Sequence, residues 1–240
     1  MKKLFLTFLA VTLLLCGCNK TKQFQVNLTL DNAENQTVYL CKTVDNQNVC
    51  VDSAVIVDKT AVMTADPDDP QVLYSIKFDK KDDCGIFTFF TENQNTTING
   101  DRDDMPHWTV KGCPTMDVMM AYHKDCMKKY EEPILALYEE LNESALAGDT
   151  VKAFEINEQF LPLMEAYHDY QADFIRSHSD HYLGHYMLDL CKYDFDIEVV
   201  KELSAGFTNE SVYSKNVKEY IEKYERGEVE MPGCTIIMDE

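Results

Sequence analysis

The sequence predicts an α+β protein, with an N-terminal antiparallel β-sandwich or barrel followed by a C-terminal helical hairpin or bundle. Apolar residues alternate with period two from Phe24 to about Gly112, the signature of half-buried strands. Past Gly112 the apolar period lengthens to about 3.5, which belongs to helices. A chain of 240 residues with 45% hydrophobic and 11% aromatic content can bury a sizeable core and is not of disordered composition. The expected organisation is a β domain over 24–112, a helical domain over 113–227 and a tail over 228–240.

The first strand is Phe24-Gln25-Val26-Asn27-Leu28-Thr29-Leu30; the polar run 31–35 breaks it before Thr37-Val38-Tyr39-Leu40-Cys41 begins a second. Further strands are expected at Val49–Val57, Lys59–Thr64, Val72–Phe78, Gly85–Thr91, Thr96–Asn99 and Trp108–Lys111. Many short strands with polar turns between them argue for a sandwich or barrel. The segment Asp66-Pro67-Asp68-Asp69-Pro70 cannot continue a strand and marks a loop.

In the helical half, Met120, His123, Met127, Tyr130, Ile134, Leu137 and Leu141 step by three and four and form one stripe. Thr115 is the expected N-cap of this helix. Phe160, Met164, Tyr167, Gln171, Phe174 and His178 form a second stripe, and Ala147-Gly148-Asp149-Thr150 separates the two, which gives an antiparallel hairpin. Pro133 and Pro162 lie inside these helices and are expected to kink them. Shorter helices are expected near His181–Cys191, Asp196–Ala205 and Ser211–Glu225, with Gly206 and Gly227 as C-terminal caps.

Ahead of the first strand, Lys2 and Lys3 precede an apolar run from Leu4 to Leu15, a signal-peptide layout over residues 1–17. The run is shorter than the roughly 20 residues needed to span a bilayer. Leu15-Cys16-Gly17-Cys18 resembles the bacterial lipobox, which implies lipid attachment at Cys18 and a tether over 18–23. Several acyl chains, at about 0.8 kcal/mol per buried methylene, hold a protein stably on a membrane. Asn19-Lys20-Thr21-Lys22 carries no acidic surface-export cluster, so the expected address is the outer membrane, facing the periplasm.

The net charge of −20 makes nucleic acid an unfavourable partner, because a polyanion gains no counterion release from so acidic a chain. In an oxidising compartment disulfides persist. Cys41 and Cys50 flank the polar turn Asp45-Asn46-Gln47-Asn48 and would face each other across a hairpin; a disulfide and two buried thiols remain equal readings. None of the cysteine spacings is C-x-x-C, so neither the thiol-exchange motif nor its zinc counterpart is present.

Thr37-Val38-Tyr39-Leu40, Asp52-Ser53-Ala54-Val55-Ile56-Val57, Phe87-Thr88-Phe89-Phe90-Thr91-Glu92-Asn93, Thr97-Ile98-Asn99-Gly100-Asp101 and Val110-Lys111-Gly112 occur in an order that resembles the domain of unknown function 4369 family. That family places an all-β domain at the N-terminus of lipoproteins, then a helical connector and a thioredoxin-like domain of the AhpC/TSA or TlpA type. Phe174-Ile175-Arg176-Ser177-His178-Ser179-Asp180 resembles the connector's turn, and the resemblance extends over residues 24–232. Met231-Pro232-Gly233-Cys234 stands where such proteins enter the thioredoxin-like domain, and only Thr235–Glu240 follow. Cys234 has neither the helix nor the resolving cysteine that exchange chemistry uses in that family, so the resemblance does not carry an oxidoreductase activity over.

Other chemistry is sparse. His123 and His168 are roughly equidistant from the hairpin turn and, with Asp125, Cys126 and Asp169 nearby, could form a Cys/His or carboxylate/His site; a hydrogen-bonded histidine in the seam is the plainer reading. His178, His181 and His185 have metal-like spacing, but an exposed polar face explains His181 and His185 as well. The acidic loops at 66–69 and 101–104 lack the ligand alternation of a calcium loop, and no phosphate-binding glycine loop or nucleophile elbow indicates a cofactor or a serine hydrolase. The expected function is therefore a non-catalytic envelope lipoprotein that binds a protein or a small molecule. The alternatives are an accessory to thiol–disulfide exchange, through a thioredoxin-like partner or Cys234, and a metal or Cys/His enzyme in the helical half.

Overall fold

The computed structural model describes residues 23–44, 47–79 and 86–228. The expected signal peptide, the Cys18 lipid site, Cys84, Cys234 and the end of the tail lie outside the described residues. The chain divides into two compact units between Cys113 and Pro114. No helix among the described residues is long and apolar enough to cross a membrane.

The first unit is a two-sheet β-sandwich, with β1 Phe24–Asp31, β2 Thr37–Val44, β3 Gln47–Val55, β4 Thr60–Ala65, β5 Tyr74–Lys77, β6 Phe87–Phe89, β7 Thr96–Asp101 and β8 Thr109–Lys111. The strand orders are β4-β1-β7-β8 and β3-β2-β5-β6. β1 turns Phe24, Val26, Leu28 and Leu30 inward and alternates them with more accessible positions, as its period-two pattern dictates. The two inner faces meet through aromatic rings: Phe24 of β1 lies 5.5 Å edge-on from Tyr74 of β5, and Phe87 of β6 lies 5.0 Å from Trp108. The sandwich is antiparallel except at one place, because β1 runs parallel to β7. Alternation specifies which face a residue buries and not the direction of the neighbouring strand, so this pairing departs from the fully antiparallel expectation.

Trp108 organises one end of this core. It is fully buried, its Nε1–H donates to the Asp101 carbonyl at 2.6 Å, and Phe78 and Phe87 pack against the indole. Gly100 lies directly beneath it, where any Cβ would overlap the ring.

The second unit is helical: α1 Pro114–Cys126, α2 Glu132–Ala147, α3 Thr150–Ser177, α4 Tyr182–Cys191, α5 Ile197–Ala205 and α6 Val212–Glu225. Thr115 is not the N-cap. Pro114 occupies the first helical position, which suits its fixed φ and missing N–H, and the buried Thr115 hydroxyl meets the Tyr182 hydroxyl at 3.0 Å. Ahead of Pro133, residues Met127–Glu131 widen into a π-helical turn that relieves the ring's clash with the preceding turn. α3 runs through Pro162 as one helix of 28 residues.

The hairpin turn is sharply specified. Gly148 ends α2 with φ at 70°, in the left-handed region, and Asp149 caps α3 by accepting from the Lys152 N–H at 3.0 Å. Tyr122 stacks on Tyr170 at 5.4 Å and Tyr130 lies 5.8 Å from Tyr167, which gives the seam its aromatic character. α4 is buried over most of its circumference and forms the centre of the C-terminal helices.

Candidate functional site

Cys41 and Cys50 stand opposite each other in the β2–β3 register and are joined by a disulfide. Cys113, Cys126 and Cys191 are buried. Burial pushes the Cys126 thiol up to about 11 and the Cys191 thiol up to about 12, so both remain protonated near neutral pH and lack the thiolate that nucleophilic chemistry needs. The Cys191 S–H donates to the Met187 carbonyl at 2.9 Å.

The histidines serve separate local contacts. The His168 ring contacts Tyr167 and Phe195 at 6.0 and 5.8 Å, and no ring contact or hydrogen bond joins it to His123 among the described residues. His178 ends α3, and His181 caps α4 by accepting from the Leu183 N–H at 3.1 Å. His185 does not lie on an exposed polar face, because α4 buries it to 1% exposure. Its partners assign its tautomer: Nε2–H donates to the Ser179 carbonyl at 3.1 Å, and Nδ1 accepts from Ser211, whose oxygen is already taken as an acceptor by the Ser214 N–H. Among the described residues no group of three or more His, Cys, Asp or Glu side chains is arranged to hold a metal ion.

His185 gives a pH prediction. Burial lowers its pKa, against the raising effect of the Ser179 carbonyl, while His181 and Asp180 nearby act in opposite directions. The native ring therefore binds fewer protons than the unfolded one. Stability should be lost as pH falls from about 6.5, the unfolded value, towards the native pKa, at no more than about 1.4 kcal/mol per pH unit. Urea unfolding at pH 7.0 and 5.5 should show the gap between the wild type and His185→Asn narrowing at the lower pH; a constant gap would contradict the assignment.

Two surfaces have the geometry of binding sites. The first is a cavity of about 210 Å³ in the β unit, lined by residues that include Lys42, Asp52, Thr64, Asp66 and Tyr74. It opens where β3 and β4, edge strands of different sheets, come together. Lys42 pairs with Asp68 at 2.5 Å, and this hydrogen bond holds the Asp68 carboxyl below its ordinary range. Asp52 accepts from the Thr64 N–H at 2.8 Å, and Asp66 accepts from Gln23 at 3.1 Å. Tyr74 is 1% exposed, yet its hydroxyl has no hydrogen-bond partner among the described residues. Burial first, then Asp68 and Asp66, push the phenol up to about 12. No local motif marks this cavity, whose walls come from five segments brought together by strand order alone.

The second surface lies on the hairpin. Leu135, Tyr138 and Leu146 of α2 and Val151, Phe154 and Leu161 of α3 are each at least half exposed, Leu146 to 90%. At 3.6 residues per turn each trio lies about 130° from the seam in the same rotational sense. A two-fold relation between antiparallel helices therefore brings both trios to one face of the hairpin, with Glu158 and Glu165 among them. The first stripe legible in the sequence is the seam; this outer face is a second apolar set that its regular spacing obscured.

No curated protein and no solved structure matches the chain. A family match begins at β1 and ends inside α1, so residues 120–232 lie beyond it. Over residues 24–119 the chain matches the family described as Domain of unknown function (DUF4369), and in this β-sandwich segment it resembles that family.

Proposed function

We propose that this chain is a non-catalytic envelope lipoprotein, anchored through Cys18 on the periplasmic side of the outer membrane and acting as a protein-interaction module. The observation that carries the reading is the exposed apolar face of the α2–α3 hairpin, formed by Leu135, Tyr138, Leu146, Val151, Phe154 and Leu161. Contiguous apolar surface on a folded protein marks an interaction site more often than scattered exposed residues do. Glu158 and Glu165 within this face, and the net charge of −20, select a partner that presents apolar residues rimmed by lysine or arginine. The lysine-flanked apolar N-terminus and the Leu15-Cys16-Gly17-Cys18 pattern support the anchor.

A photo-crosslinking residue at position 146 tests the reading in intact cells. The expected result is a discrete heterologous adduct whose yield falls about tenfold or more when Phe154 is replaced by Asp, as for loss of an aromatic anchor. Because Phe154 is exposed, its replacement should leave unfolding free energy within about 0.5 kcal/mol. Adducts no more abundant than at an acidic control position such as Glu155 would refute the proposal, and an adduct of twice the chain's mass would assign the face to self-association instead.

A further inference from the structure

We propose that the cavity at the β3–β4 edge of the sandwich is a binding site for a primary ammonium group. This goes beyond the interaction face on the hairpin and rests on different residues.

The hydroxyl of Tyr74 is buried and unsatisfied among the described residues. Its ring is fixed in the core, edge-on to Phe24 at 5.5 Å and tilted against Phe89 at 6.3 Å. Tyr74 is part of the cavity lining, and its hydroxyl is close enough to Asp68 and Asp66 to feel both charges. A buried hydroxyl without a partner costs about 1–3 kcal/mol. A fold that retains it either tolerates that cost or satisfies the group by binding something.

The rest of the wall indicates the chemistry of the occupant. Lys42, the one basic residue lining the cavity, is neutralised by Asp68. Among the described residues no cation pairs with Asp52 or Asp66, and the second oxygen of Asp66 accepts no hydrogen bond, while Asp52 accepts from the Ser53 and Thr64 N–H groups and the Thr64 hydroxyl. The unmet groups are mainly acceptors: the free Asp66 oxygen, the lone pairs of Asp52 left over by Ser53 and Thr64, and the oxygen of the Tyr74 hydroxyl, whose proton is left for an acceptor elsewhere on the ligand or the wall. An anion would meet two carboxylates, and a neutral apolar group would leave the acceptors desolvated. A primary ammonium offers three donors and one positive charge, and its hydrogen bonds to carboxylates are of the stronger charge-assisted kind. A metal ion is disfavoured by geometry, since the described carboxylates here do not converge as a ligand set. The phenol, held protonated, accepts through its oxygen and does not compete as an anion.

The test titrates n-propylammonium, n-propanol and propionate into the full chain at matched ionic strength, following backbone amide shifts of β3, β4 and β5. Propylammonium should bind in the millimolar range and shift residues around Asp52, Thr64 and Tyr74, while propanol and propionate leave them unmoved. Asp66→Asn should weaken binding about tenfold, as for loss of one charge-assisted contact. Tyr74→Phe should weaken it severalfold and leave the urea midpoint of the free protein unchanged or raised, because the phenylalanine removes an unsatisfied group. Propionate or propanol binding as tightly as the amine, an Asp66→Asn variant that binds like the wild type, or no shifts with any probe would each overturn the assignment. A Tyr74→Phe variant that lost stability would show that the hydroxyl already has a partner in the free protein, and would overturn it as well.

Discussion

Trp108→Ala should cost the β unit about 3–5 kcal/mol, the range for removing a large aromatic from a packed core. The side chain is fully buried, and its removal takes away three things together: ring contacts with Phe78 and Phe87, the hydrogen bond to the Asp101 carbonyl, and the cover over Gly100. Trp108 is also the only tryptophan in the chain, so its fluorescence follows the β unit in the wild type, while far-UV circular dichroism must follow the variant. Gly100→Ala tests the same contact from the other side. Its Cβ would overlap the indole, and overpacking of this kind costs about 1–3 kcal/mol. In the double variant the methyl group enters space the indole has left, so the combined loss should be smaller than the sum of the single losses. Strict additivity in urea unfolding would mean that ring and backbone do not constrain each other.

Strands that bury one face are legible because alternation of apolar and polar residues records that directly, and Phe24, Val26, Leu28 and Leu30 are the clearest case; β5, buried at all four positions, carries no such alternation in its burial. The helical hairpin was legible for the same reason at a different period, and Gly148 and Asp149 mark its turn by their own conformational chemistry. What escaped depends on relations between segments. The parallel β1–β7 pair follows from the route of the chain between the sheets, and no residue in either strand encodes it. Pro133 announces a disturbance but not its form, since a kink and a π-helical turn both relieve the ring. His185 reads as a polar helix position until Ser211, from the cap of α6, is placed against it. The cavity is the extreme case. Lys42, Asp52, Asp66 and Tyr74 stand out in no local pattern; Lys42 and Tyr74 meet by β2–β5 pairing, Asp52 comes from the adjoining β3, and the meeting of edge strands β3 and β4 brings Asp66 to them.

Cys41→Ala combined with Cys50→Ala should lower the stability of the β unit by about 2–3 kcal/mol, the chain-entropy contribution expected for so short a closed loop. The bridge spans a sequence separation of 9 and joins directly paired positions of β2 and β3. Its effect should concentrate in β3, which lies at the sheet edge and turns Val49, Val51 and Val55 largely to solvent. Such a strand has little buried surface of its own to hold it, and a loosened edge with exposed valines invites pairing with another chain. Amide exchange should therefore accelerate across Gln47–Val55 more than in β1 or β7, and the variant should aggregate more readily. Val51 and Asp52 belong to both β3 and the cavity wall, so loosening this strand should also weaken propylammonium binding although neither cysteine touches the ligand. Reduction of the wild type with dithiothreitol should reproduce all three effects. Equal exchange rates in oxidised and reduced protein would mean that strand pairing alone fixes β3, and that the disulfide contributes nothing to the edge on which the cavity depends.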